Sequence, residues 1–67
     1  MSRAKQLIDE LIQKKANGNN FQEMNIKMKL MFKGIVLTKI EDGTADDDEV
    51  IPKIFEVAEQ FNVELTN

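Results

Sequence analysis

The sequence has no cysteine, no histidine, no tryptophan and no tyrosine. Without cysteine and histidine, disulfide frameworks, thiol and imidazole nucleophiles, and the usual zinc, haem and iron–sulfur sites are excluded. Without tryptophan and tyrosine, the chain also lacks two of the side chains that stack on nucleic-acid bases. Nothing in this composition needs an oxidising compartment.

Long hydrophobic runs are absent as well. No apolar run approaches the roughly 18 residues of a membrane span, and the first ten residues, MSRAKQLIDE, carry charges where a signal peptide has its apolar stretch. No internal repeat, proline-rich linker or low-complexity tract divides the 67 residues. We therefore expect one small domain spanning residues 1–67, located in the cytoplasm and without membrane contact.

Charge is unevenly distributed along the chain. Residues 1–40 hold eight basic and three acidic side chains, whereas residues 41–67 hold one basic and nine acidic ones. A basic half could bind nucleic acid, and an acidic half could imitate a polyanion and block a larger assembly. We favour a simpler interpretation, in which the two halves attract each other within the fold, each exposed pair contributing about 0–1 kcal/mol.

The amino-terminal segment has the spacing of an amphipathic helix. Ala4, Leu7, Ile8 and Leu11 recur at intervals of three and four residues, which predicts a helix over residues 3–16. Ser2 is positioned to cap its first turn. The run Asn17-Gly18-Asn19-Asn20 should end the helix, because asparagine and glycine tolerate the left-handed conformation of a helix exit.

The second segment, residues 21–33, fits two patterns. Alternation of apolar and polar residues from Ile26 onward is typical of a strand, and it leaves open an α+β fold with a two-stranded hairpin over residues 25–40. Helix formers dominate the segment, Asn20 can cap it, and Gly34 with Ile35 fits a Schellman exit. We therefore predict a helix whose main apolar stripe contains Phe21, Met24, Met28, Met31, Phe32 and Ile35.

A third helix is predicted over residues 49–61, with Asp48 as its cap and Pro52 in its first turn. Between the second and third helices, residues 35–40 are rich in β-branched side chains and predict an extended connector. The expected fold is thus an all-α three-helix bundle, with helices at about 3–16, 21–33 and 49–61.

The sequence offers little for catalysis or ligand binding. The acidic run 42–49 resembles a calcium loop only weakly, since Asp47 replaces the required glycine and Lys53 stands where a bidentate glutamate should be. No glycine-rich phosphate loop is present, and the hydroxyl side chains have no histidine base. We expect no catalytic residue, no cofactor, no metal site and no small-molecule substrate.

A second apolar face on the predicted second helix gives the main functional hypothesis. Ile26 and Leu30 lie about 160° from the main stripe at about 100° per residue. Either this helix is central in the bundle, or the pair contacts another chain. Our leading hypothesis is a non-enzymatic cytoplasmic interaction or regulatory module that self-associates, with Ile26 and Leu30 as anchors and Lys27 and Lys33 as a polar rim. A protein partner or a homo-oligomer is preferred over nucleic acid.

Overall fold

A computed structural model describes residues 3–66 of the chain and contains four helices in that range. They are α1 (Arg3–Lys15), α2 (Asn20–Phe32), α3 (Leu37–Asp42) and α4 (Asp47–Gln60). The predicted all-α class is confirmed, and the three long helices lie within two residues of their predicted bounds. The alternative hairpin over residues 25–40 is wrong, because the described residues contain no strand.

The helix count was one too low, because residues 37–42 form α3 instead of an extended connector. The helical turn carries Ile40 into the core, where it is 2% exposed. Gly43 ends α3 with a left-handed backbone at φ 77°. The β-branched residues favour an extended chain locally, but burial of Ile40 against α1 and α2 overrides that preference.

The caps of two helices lie earlier than predicted. The Asn19 side chain, rather than that of Asn20, accepts a hydrogen bond from the Gln22 amide at 3.0 Å. Asp46, rather than Asp48, caps α4, which places Pro52 in the second turn. The predicted Ser2 cap lies outside the described residues.

The exit of α2 is a Schellman motif, as predicted. Gly34 has a φ of 91°, and its amide donates to the Met31 carbonyl at 2.9 Å. The Ile35 amide donates to the Leu30 carbonyl at 3.1 Å, and the Ile35 side chain is buried. This motif satisfies carbonyls at the helix end and reverses the chain toward α3.

The core lies between α1, α2 and α4, and the fully buried side chains of residues 3–66 are all aliphatic. Its members are Ala4, Leu7, Ile8, Leu11, Ala16, Ile26, Leu30, Ile35, Ile40, Val50, Ile54, Val57 and Ala58. Helix α2 contributes Ile26 and Leu30, both fully buried. The predicted main stripe of α2 therefore faces the wrong way: except for Ile35, its members are exposed on the opposite side of the helix. A small bundle buries only one face of α2, and the two aliphatic side chains fill it.

The oppositely charged halves of the chain do meet in the fold. Lys5 lies 3.7 Å from Glu41 between α1 and α3, and Lys33 lies 3.1 Å from Glu56 between α2 and α4. In both pairs the glutamate is exposed and the lysine is only partly buried, so each contributes at most about 1 kcal/mol. They add modest attraction across the helix contacts that the apolar core already holds together.

Candidate protein interface

Five large apolar side chains project from α2 into solvent and form what we call the outer face. Its members are Phe21, Met24, Met28, Met31 and Phe32, exposed by 81%, 59%, 44%, 54% and 81%. Their spacing places them within about 100° around the helix at about 100° per residue. The outer face and the buried pair therefore occupy opposite sides of one helix.

The area of the outer face is large for a domain of this size. At about 200 Å² per large side chain, these exposures leave roughly 600 Å² of mainly apolar surface in water. The largest apolar patch of a typical monomer covers about 300–600 Å² and is often a binding site. Isolated exposed side chains need no explanation, but five on one helical face do.

Polar side chains border the outer face along both edges. On one edge Lys27 lies 3.0 Å from Glu23, one turn away. On the other edge are the exposed Asn25 and the partly buried Lys29, and Lys29 has no ion pair within the described chain. An apolar centre with a hydrated, charged rim is the usual anatomy of a protein interface.

The four residues predicted as interface residues lie apart from this surface or at its edge. Ile26 and Leu30 are fully buried within the chain, so a partner cannot reach them in this fold. The sequence had left intrachain packing open as the other interpretation, and that is the arrangement found. Lys27 borders the outer face, whereas Lys33 turns toward α4 and pairs with Glu56 at 3.1 Å.

The outer face was missed because its residues were assigned to the core. Phenylalanine and methionine are the largest apolar residues of α2, and counting them favoured that side of the helix. One available signal pointed the other way: in a Schellman motif the residue after the glycine packs against the last turn, here Ile35 near Leu30. A buried Ile35 therefore indicates that the side of Leu30 faces inward.

A groove of about 580 Å³ lies where α1, α2 and α3 meet. Its apolar floor is formed by Ile8, Ile12, Leu37 and Ile40, and its rim is charged. The carboxylates on that rim contact lysines: Asp9 lies 3.3 Å and Glu41 3.7 Å from Lys5, and Glu23 pairs with Lys27.

The protonation equilibrium of Lys5, on the rim of this groove, is shifted by its carboxylate neighbours. The hydrogen bond and charge of Asp9, with a further contribution from Glu41, raise the pKa of the Lys5 ammonium above 10.5. Lys5 therefore stays charged at any pH near neutrality. The carboxylates of the rim thus occur in ion pairs with lysines.

The carboxyl-terminal tail is fastened to α1 by one carboxylate. Glu10 Oε2 accepts hydrogen bonds from the Thr66 amide at 2.8 Å and the Thr66 hydroxyl at 2.7 Å. Lys14 Nζ lies 2.8 Å from the same oxygen and donates to the Glu64 carbonyl at 2.9 Å. The Glu10 side chain is only 9% exposed, so these contacts compensate a carboxylate that is largely removed from water.

Acidic side chains within residues 42–49 accept hydrogen bonds near the ends of helices. Asp42 Oδ1 accepts from the Thr44 amide at 3.0 Å and from the Thr44 hydroxyl at 2.6 Å. These bonds lower the pKa of Asp42 below 3.8. Asp47 Oδ2 accepts from the Arg3 amide at 3.3 Å, at the start of α1. Within residues 3–66, no three acidic side chains are grouped so that they could hold a metal ion.

No helix of the described chain is long and apolar enough to cross a membrane. Comparisons with protein-family models, with curated proteins and with solved structures found no match. The functional inference therefore depends on the surface of the molecule itself.

Proposed function

We propose that this chain is a non-enzymatic protein-interaction module that binds through the outer face of α2. The observation that carries the proposal is the solvent exposure of Phe21, Met24, Met28, Met31 and Phe32 on a single helical face. Removing about 600 Å² of apolar surface from water supplies roughly 15 kcal/mol before the costs of association. Association itself costs about 4–15 kcal/mol, so apolar surface contributed by the partner adds to the surplus that stabilises a complex.

The residue types of the outer face suit recognition. Methionine is flexible and polarisable, so Met24, Met28 and Met31 can adapt to the shape of a partner. Phe21 and Phe32 lie at the two ends of the face and supply large rigid contacts. In this proposal Lys27 remains part of the polar rim. The anchors are the residues of the outer face instead of the buried Ile26 and Leu30.

The residue composition supports two further parts of the proposal, a role without catalysis and a cytoplasmic setting. The chain has no histidine or cysteine, and the groove at α1, α2 and α3 is rimmed by ion pairs, which supports a role without catalysis. The cytoplasm is kept as the setting, because nothing in the composition needs an oxidising compartment. A regulatory role would follow if binding at the outer face blocks or recruits another protein.

Site-specific photo-cross-linking in cells that express the chain tests this proposal. With p-benzoylphenylalanine in place of Phe32, we expect adducts of defined mass. The same probe at Gln60, exposed at the end of α4, is the control and should give none. Met28→Glu, added to the Phe32 probe, should remove the adducts. Equal labelling from both positions, or adducts that survive Met28→Glu, would contradict the proposal.

A further inference from the structure

We infer that the occupant of the outer face is a second copy of this chain, bound with its α2 antiparallel to the first. This inference rests on the proposed function, because it identifies the partner for the same face. Three features of α2 carry it: the area it exposes, the order of its apolar residues, and the order of the charges along its edges.

The area matches what a dimer needs. Two outer faces packed together would remove roughly 1,200 Å² from water, and a specific interface should bury at least about 1,000 Å². The domain measures 27 × 21 × 21 Å, and a 13-residue helix is about 20 Å long. Helix α2 therefore runs the width of the molecule, and an equally long helix covers its whole outer face.

The apolar residues of one α2 lie opposite apolar residues of the second α2 when the two helices run antiparallel. With the two-fold axis midway between Met24 and Met28, Met24 lies level with Met28 of the second copy. Phe21 then lies level with Met31 of the second copy. Methionine sulfur packs favourably at about 5 Å from an aromatic ring. The contact thus has four methionines at its centre and a phenylalanine–methionine pair toward each end.

The order of the charges selects the antiparallel direction. In a parallel pair, the edge that carries Lys27 would adjoin the edge of the second copy that carries Lys29, and like charges repel at close range. In the antiparallel pair, Glu23 lies within about one turn of Lys27 of the second copy along the shared edge. The intrachain pair of Glu23 and Lys27, at 3.0 Å, would thereby lie beside its symmetry mate, and each Glu23 would be next to Lys27 of the other copy at the ends of a group of four charges.

Sedimentation equilibrium of the full chain over a wide concentration range tests the inference. We expect a monomer–dimer equilibrium for the unchanged chain and a dissociation constant at least about 100-fold weaker for Met28→Glu. Phe55→Glu is a matched control, because Phe55 is a similarly exposed apolar side chain on α4, at 40% against 44% for Met28. It should leave the dimer intact. Far-ultraviolet circular dichroism verifies that each variant is helical, and Met24→Glu replaces Met28→Glu if that chain unfolds.

The absence of cysteine allows the direction of the helices to be tested separately. Met24→Cys and Met28→Cys chains, one of them carrying a mass tag, are mixed and oxidised. The antiparallel arrangement predicts a disulfide between position 24 of one copy and position 28 of the other. A parallel arrangement predicts disulfides between identical positions, and that result would overturn the inferred geometry.

The other outcomes separate this inference from the proposed function. A chain that stays monomeric at all concentrations, or a dimer that survives Met28→Glu, overturns the second copy as occupant. If photo-cross-links from Phe32 then join the monomer to a different protein, the interaction function stands with another partner. A monomer that binds anionic vesicles through the same face would also overturn the dimer. A monomer with neither adduct nor vesicle binding refutes both proposals.

Discussion

The assignment of the two faces of α2 can be tested by comparing Leu30→Ala with Met31→Ala. These residues are adjacent in sequence, but Leu30 is fully buried and Met31 is 54% exposed. Each substitution removes a large apolar side chain and leaves alanine, a good helix former. The two variants thus differ mainly in the side of the helix that loses its side chain.

The magnitudes expected for the two variants are well separated. Removing a buried leucine side chain costs about 2–5 kcal/mol, because transfer free energy is lost and a cavity remains. A domain of 67 residues has a total unfolding free energy of roughly 3–10 kcal/mol. Leu30→Ala should therefore remove a large share of the stability, whereas Met31→Ala should change it by less than about 0.5 kcal/mol.

Urea denaturation followed by far-ultraviolet circular dichroism measures both effects. Low protein concentration is needed, because dimer formation through the outer face would stabilise the unchanged chain by mass action. Repeating each curve after tenfold dilution shows whether association contributes. If Met31→Ala costs as much as Leu30→Ala in dilute solution, or if Leu30→Ala costs little, the assigned orientation of α2 is refuted.

Three further predictions concern the helix ends and the tail. Asp46→Ala should cost about 1 kcal/mol in the urea assay, because α4 loses its side-chain cap. Glu10→Gln should cost about 1 kcal/mol and speed amide exchange at Thr66, since a neutral acceptor bonds less strongly. Asp42 should titrate below 3.8 in a carboxyl-detected NMR titration. Its stabilising contribution is present above that value and is lost as pH falls through the lowered pKa; Thr44→Val should move the pKa upward.

Much of the fold could be predicted because local signals and the global fold agree there. The spacing of Ala4, Leu7, Ile8 and Leu11 marks α1, and all four are buried. Gly34 and Ile35 identify the end of α2 through a motif whose hydrogen bonds are local. Such features depend on neighbours within a few residues, so they can be recognised without knowledge of the tertiary structure.

The errors occur where distant contacts decide the outcome. Helix α3 has only six residues, too few to be stable alone, and it depends on burial of Ile40 against other helices. The cap of α4 could be Asp46, Asp47 or Asp48 from sequence alone. The Asp47 carboxylate, however, accepts from the Arg3 amide across the fold. That contact joins residues 44 positions apart, and no local pattern reveals it.

The inward side of α2 was predicted wrongly for a different reason, and that reason bears on function. A helix with apolar residues on opposite sides carries no periodic signal for which side is inside. Counting and size favoured the phenylalanines and methionines, yet the buried side chains of the described residues are aliphatic, with Leu30 and Ile26 filling the side that meets α1 and α4. A sequence selected for the stability of an isolated monomer gains nothing from five large apolar side chains in water. Failures of local rules are expected at functional or strained sites, and on that ground we propose the outer face as the part of the chain that meets a partner.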